Sequence, residues 1–257
     1  MMFTDSHSHI YLPHFDEDRD EMLKRTIDNG VKHIFLPNID QESIDPMLEL
    51  CRSYPGICYP MMGLHPTSVK KDFEKQLEIV DSWLGKKRFS AIGECGIDLY
   101  WDKTYFEEQK IAFRYQIDLA KKYDLPIVIH ARESFKEIYD IIDNEWDESL
   151  KGVFHSFTGD LDDVKKIKSY GFKFGINGIV TFKNSDLKNV VKHVELKDIL
   201  LETDSPYLAP VPKRGKRNES SFIVYIAATL SEIYGISIDE LSRITTMNTL
   251  NLFNTDI

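Results

Sequence analysis

Short runs of mostly apolar residues alternate along this chain with longer stretches whose apolar positions recur every three or four residues. The short runs have the character of strands, the longer ones of amphipathic helices. The first run, Phe3-Thr4-Asp5-Ser6-His7-Ser8-His9-Ile10, reads as a short strand. Further strands are predicted over His33–Pro37, Ile57–Gly63, Phe89–Glu94, Pro126–His130, Gly152–His155, Lys173–Ile179 and Ile199–Asp204. The helical period predicts helices over Asp16–Asn29, Glu42–Tyr54, Asp72–Leu84, Phe106–Tyr123, Ser134–Glu145, Leu161–Tyr170 and Asp186–Val194. After a loop over Pro206–Asn218, Ser221–Tyr234 and Ile238–Phe253 close the chain with two more helices. Near-continuous apolar strands between amphipathic helices indicate a parallel sheet covered by helices. Eight alternations predict an α/β fold, a single (β/α)8 TIM barrel over 1–257, with a doubly wound open sheet as the alternative.

Composition narrows this further. The 257 residues match the size of one such barrel, about 250 residues. There is no apolar run long enough to cross a membrane, so no membrane partner is expected. The start, Met-Met-Phe-Thr-Asp-Ser-His, lacks the basic and then apolar pattern of a secretory signal. Cys51, Cys58 and Cys95 make no even disulfide framework, which suits a reducing cytoplasm. No coiled-coil or long apolar face stands out, and a monomer is expected. The formal net charge of -10 argues against non-specific duplex binding. A nucleic-acid substrate would then depend on bound cations and on a local basic cluster.

The candidate chemistry comes from where the polar residues fall on this pattern. Alternation along a strand points His7 and His9 the same way. His65 follows the third strand, Glu94 ends the fourth, His130 the fifth, His155 the sixth and Asp204 the eighth. Barrels of this kind build their active site at the C-terminal ends of the strands, so all of these residues converge on one mouth. Of the 8 histidines, only His14, His33 and His193 fall elsewhere, and they read as structural. Four histidines and two carboxylates exceed what one catalytic zinc requires. The set fits two divalent ions: one held by His7, His9 and Asp204, the other by His130 and His155, with Glu94 able to bridge. Such a pair can activate a water and stabilise both the attacking and the leaving oxygen at phosphorus. Asp204 could accept the water's proton. The ligand types allow zinc, manganese or iron, and magnesium more loosely.

These residues carry a resemblance. Asp5-Ser6-His7-Ser8-His9, Gly63-Leu64-His65-Pro66, Ala91-Ile92-Gly93-Glu94-Cys95-Gly96-Ile97-Asp98 and Ile129-His130-Ala131-Arg132 are similar to motifs of the TatD family of metal-dependent deoxyribonucleases. So are Phe154-His155-Ser156-Phe157-Thr158-Gly159, Leu201-Glu202-Thr203-Asp204-Ser205-Pro206-Tyr207-Leu208 and the stretch from Pro210 to Glu219. The resemblance implies a TIM-like barrel in the amidohydrolase-like superfamily and two divalent metal ions (Mg, Mn or Zn). It also implies exonuclease action on DNA, especially single strands. It makes His7, His9, Glu94, His130, His155 and Asp204 metal ligands and places His65 near the scissile phosphate. Two positions depart from the family pattern: Ser8, where Thr or Cys is commoner, and Ser220, where proline is frequent.

On the substrate side, Arg132 lies two residues past His130 and could reach a phosphate. Lys213, Arg214, Lys216 and Arg217 form the densest basic cluster, in the loop after the eighth strand, where they would neutralise substrate phosphates. Trp101 or Tyr100 could stack on a splayed base. The alternative enzyme is an amide or ester hydrolase on the same barrel, for example an aminoacyl-tRNA deacylase. It is disfavoured because Glu94, not a lysine, stands at the fourth strand. A non-catalytic binding module would leave the open metal positions unused.

Overall fold

The computed structural model describes residues 1–255. Eight parallel strands in chain order form its frame. β1 (Phe3–Asp5), β2 (Val31–Pro37) and β3 (Cys58–Met61) pair in sequence. β4 (Ile92–Asp98), β5 (Ile127–Arg132), β6 (Gly152–Phe154), β7 (Lys173–Ile176) and β8 (Ile199–Leu201) form the other run. Two narrow seams close them into a ring. Met62 N donates to Ala91 O (3.1 Å) and Gly93 N to Met62 O (3.0 Å), joining β3 to β4. Ser6 N donates to Leu201 O and Asp204 N to His7 O, both at 2.9 Å, joining β8 to β1. The result is a (β/α)8 barrel.

Helices cover the outside: α1 (Arg19–Asp28), α2 (Ile44–Ser53), α3 (Phe73–Leu84), α4 (Phe106–Tyr123), α5 (Phe135–Glu145), α6 (Leu161–Ser169), α7 (Leu187–Val191), α8 (Ile223–Tyr234) and α9 (Ile238–Leu252). Local chemistry sets their ends. α6 starts in a capping box, with Asp160 accepting from Asp163 N and Asp163 from Asp160 N. α8 stops at Gly235, whose positive φ of 65° suits a residue without a side chain. α4 buries Ala112, Phe113, Gln116, Ile117 and Ala120, the helical period expected from the sequence.

The strands divide their side chains between two layers. Ile34, Leu36, Ile127, Ile129 and Phe154 face the helices in the main apolar core. Phe35, Met61, Ala91, Val128, Val153 and Leu200 pack with one another inside the barrel, with Leu250, Leu252 and Phe253 at the end of α9 closing its floor. The period-two alternation that puts Val128 and Val153 inside also puts His130 and His155 inside, one step nearer the mouth. The apolar floor thus becomes a polar mouth along the same strands.

The strand ends differ from the sequence reading. β1 stops at Asp5 and β8 at Leu201 because beyond them the chain hydrogen-bonds alternately to two neighbours. Ser8 N donates to Phe35 O of β2 (3.0 Å), while His9 N donates to Ser205 O (2.7 Å). β7 ends at Ile176, where the Asn177 side chain accepts from Ile179 N and turns the chain into a short 3-10 segment over Gly178–Thr181. β4 begins three residues later than expected and runs to Asp98. Glu94 and His130 therefore lie within their strands, and β5 continues past His130 to Arg132. Among the described residues no single helix is long and apolar enough to cross a membrane.

Candidate metal centre

Glu94 owes its inward direction to an irregularity in β4. Ala91 packs inside the barrel. Strict alternation from there would aim Gly93 inward and Glu94 at the helices. The register shifts between Ile92 and Cys95, and such a shift re-aims the side chains that follow it. Glu94 and Asp98 then face the mouth. Gly96, between them, has φ of 137°, and a Cβ there would lie 2.1 Å from His130 O. Glycine is required at that crossing.

Glu94 is 2% exposed and sits between two groups of ligand-type atoms. Its Oε2 lies 3.0 Å from His7 Nε2 and 3.5 Å from His9 Nε2. Its Oε1 lies 2.8 Å from His130 Nδ1, 3.3 Å from His65 Nε2 and 3.4 Å from His155 Nε2. Asp204 Oδ1 approaches His9 Nε2 at 3.7 Å and His7 Nε2 at 4.0 Å. The structure therefore brings together His7, His9, His65, Glu94, His130, His155 and Asp204.

The far nitrogens of these rings fix their roles. Tyr11 donates its hydroxyl proton to Pro37 O (2.6 Å), so at 3.0 Å it must accept from His9 Nδ1–H. His9 Nε2 is then a bare lone pair facing two carboxylates and, 3.2 Å away, His7 Nε2. The carboxylate oxygens are acceptors as well, so that face of His9 is repulsive unless a proton or a cation lies between them. Donor atoms about 2.0–2.2 Å from a zinc-sized ion are separated by spacings like those seen here. The His7, His9, Glu94 and Asp204 set fits such an ion on both grounds. His130 Nε2 meets Asp98 Oδ2 at 2.9 Å, leaving Nδ1 toward Glu94. His155 Nδ1 lies 3.1 Å from Glu202 Oε1, within charge attraction but out of hydrogen-bond line. Carboxylates behind ligand histidines fix ring orientation and raise basicity.

His65 is different. The backbone N–H of Thr67 donates to its Nδ1 (3.1 Å), with Thr67 Oγ1 at 2.7 Å. Neutral His65 must then carry its proton on Nε2, toward Glu94. His65, Glu94 and His130 are close enough to share an ion, but a protonated Nε2 is a donor and cannot be a ligand. His7 Nδ1 is buried without a partner among the described residues.

Charge in the site is tightly opposed. Burial alone would raise the Glu94 carboxyl, but His155, His65, His7 and the His130 bond outweigh it and hold it well below the usual range. Burial pushes Asp204 up to about 6, against the pull of His155 and His9. Burial holds His7 well below its ordinary value, with His155 adding to the effect. His155 goes the other way, up to about 10, because Glu202 and Glu94 outweigh its burial. Four buried or near-buried carboxylates, Glu94, Asp98, Glu202 and Asp204, leave the mouth short of positive charge, the condition a divalent ion relieves.

His9, His65, Glu94, Asp98, His130, His155 and Asp204 line a cavity of about 630 Å³ together with Trp101, Arg132, Ser156, Tyr207 and Leu208. Arg132 thus reaches the mouth, as its place after His130 suggests. Arg214 and Arg217 do not line it. Arg217 makes a two-pronged bond to Asp18 (2.7 and 2.8 Å), donates to His14 O and lies over the Phe15 ring. Arg214 lies over Phe182 and donates to Ala209 O, while Lys213 lies over Phe222 and Tyr225. Three of the four cations of this loop are drawn to carboxylate, carbonyl and aromatic partners, because the loop packs back onto the barrel. A larger groove of about 860 Å³ between the segment after β1 and α2 is lined by Tyr11, Asp16, Asp20, Asp40 and Glu49 and holds none of the ligand-type residues of the site. The two departures from the family pattern meet: Ser8 Oγ and Ser220 Oγ are buried 3.2 Å apart.

Sequence reasoning missed Asp98, Glu202 and Tyr11. The signal was present in the spacing: Tyr11 follows His9 by two, Glu202 precedes Asp204 by two, and Asp98 follows Glu94 by four. Gly175 makes room for Glu202, since a Cβ there would lie 2.2 Å from its Oε2.

The profile described as TatD related DNase matches residues 4–254. The chain is 35% identical to the uncharacterized metal-dependent hydrolase YabD of Bacillus subtilis, covering 98% of this chain and 99% of that protein. It is similar to the crystal structure of YjjV, a TatD homolog from Escherichia coli, with a TM-score of 0.92 and 30% identity over 99% of this chain and 98% of that one. A TatD family hydrolase from Entamoeba histolytica, 24% identical, shares the fold with a TM-score of 0.83, covering 98% of each chain.

Proposed function

This chain belongs to the TatD related DNase family of metal-dependent hydrolases, and from that premise we propose that it hydrolyses phosphodiester bonds at the ends of single-stranded DNA. The observation that carries the reading is Glu94, whose two oxygens face two separate groups of ligand atoms. Two divalent ions fit, magnesium, manganese or zinc. His7, His9, Asp204 and Glu94 would hold one; Glu94, His130 and His155 the other. When bound, such ions acidify water and neutralise charge on a phosphodiester.

The chain's own residues supply the rest. Asp204, a carboxylate at the mouth on the edge of the cavity, would serve as general base. His65, whose Nε2 proton points toward Glu94 on the cavity wall, would hold a non-bridging phosphate oxygen. Arg132 offers its guanidinium to a flanking phosphate. Tyr11 and Asp98 would hold His9 and His130 in the tautomer and direction the site needs, and the Glu202 carboxylate lies behind His155 within charge attraction. The apolar floor under the site, closed by Phe253, keeps water to the mouth side.

An end-labelled single-stranded DNA digest with magnesium, manganese or zinc, a chelator control and the Glu94→Ala variant tests this. Stepwise release of nucleotides that needs both metal and Glu94 is expected, and the labelled end gives the polarity. No release with any metal, from protein that still binds metal, would remove the nuclease reading. Ester and amide substrates, beginning with aminoacyl-tRNA, would then be tried.

A further inference from the structure

The turn after β4 carries a feature that metal chemistry does not use. Trp101 is 68% exposed although it lines the cavity, and its neighbour Tyr100 is 50% exposed. The next aromatics, Tyr105 and Phe106, pack against the core instead. Tyr105 and Phe106 thus take the part of packing this segment down, and Trp101 keeps an open face at the mouth.

That open face is held in place. Asp98 Oδ1 accepts from Tyr100 N (3.0 Å) and Trp101 N (3.1 Å), fixing the turn's backbone. The other oxygen of the same carboxylate accepts from His130 Nε2. One buried side chain therefore sets the aromatic turn relative to a metal-ligand histidine. Tyr100 packs edge-to-face against Trp101, ring centroids 4.9 Å apart. Behind them, the Arg132 guanidinium lies 3.9 Å from the Tyr100 ring centre and 5.3 Å from that of Trp101. Among the described residues no carboxylate pairs with Arg132. A cation braced on aromatic faces and free of an ion-pair partner is available to an anion.

We propose that Trp101, backed by Tyr100 and Arg132, is the seat for one unpaired nucleobase, with Arg132 taking the phosphate attached to it. This rests on the phosphodiesterase reading above and deepens it. A flat apolar face beside a fixed guanidinium matches the two halves of a nucleotide. Stacking on an aromatic face tolerates any base, because every base offers a π-face. The cavity is of the size that holds a small ligand such as a nucleotide, so a base must leave its partner to reach the seat. Selection of single strands then comes from this turn and needs no contact to base edges.

The test uses metal-loaded protein and fluorescently labelled phosphorothioate oligodeoxyadenylates, which resist hydrolysis. One strand is intact; two others lack the base at the 3′ or the 5′ terminal nucleotide. Wild type is expected to bind the intact strand about ten- to a hundredfold more tightly than one of the abasic strands. Trp101→Ala is expected to bind intact and abasic strands alike, and Trp101→Phe to keep most of the preference. A preference that survives Trp101→Ala undiminished, or none in wild type, overturns the seat. Hydrolysis of the unmodified strands is scored separately. Base preference in binding without nucleotide release would keep the seat and remove the phosphodiesterase reading.

Discussion

The position of one proton separates His65 from the histidines around it. Thr67 N–H points at His65 Nδ1, so the proton sits on Nε2; the Tyr11 hydroxyl draws it to Nδ1 in His9. Two similar rings at one mouth thus become a donor and a ligand. His65→Ala is expected to lower kcat about a hundred- to a thousandfold, as when one preorganised donor is removed. Metal content, measured by elemental analysis of the same preparation, should not change. Loss of an ion with the imidazole would make His65 a ligand and contradict this assignment. The ligand-type residues were legible in the sequence because strand alternation and barrel polarity put them at one end. Asp98 and Glu202 were equally regular in spacing. They went unread because a carboxylate behind a histidine has no motif of its own, only a place on the same face. Tyr11 shows the same limit, since its role lies in which proton it leaves on His9.

At the scale of elements, two departures from regularity matter most. The register shift in β4 turns Glu94 inward, an event the hydrophobic pattern conceals, since Ala91 to Glu94 reads as an unbroken strand. The loop after β8 is the second. Its basic residues suggest a path for phosphates, yet Arg217 ties the loop to Asp18, 199 residues away in sequence. A run of charge shows nothing of its distant partners, and this was the least legible part of the chain. Arg25 extends the tie, bonding Asp18 and, at 2.9 Å, the buried Glu219. Both Asp18 and Arg217 are about one-third exposed, so solvent screens them; Arg217→Ala is expected to cost about 1 kcal/mol of stability near neutral pH. The Arg217 bond, with Arg25 helping, holds the Asp18 carboxyl down to about 2. A depressed carboxyl stabilises the fold above its ordinary value near 3.8 and loses that contribution as pH falls toward 2. Urea unfolding of wild type and Arg217→Ala should therefore differ at pH 6, with the gap narrowing as pH falls below 3.8 and closing at about pH 2. A gap that is constant with pH would mean that the guanidinium acts by stacking on Phe15 and not through Asp18.

The whole molecule is acidic, with a formal net charge of -10, and its proposed substrate is a polyanion. With three of the four loop cations engaged elsewhere, Arg132 is the Lys/Arg side chain that lines the mouth, and more of the positive field would come from bound ions. The barrel makes that arrangement possible. It gathers ligands from β4, β5, the ends of β6 and β8 and the segment after β1 over one apolar floor, so carboxylates and histidines distant in sequence share a small volume. The central claim is that Glu94 joins two divalent ions in that volume. Crystals grown with manganese or zinc and measured at the metal's absorption edge test it most directly. Two anomalous peaks per chain are predicted, one beside His7, His9 and Asp204 and the other beside His130 and His155, with a Glu94 oxygen on each. A single peak, or two with Glu94 bound to neither, would contradict the account.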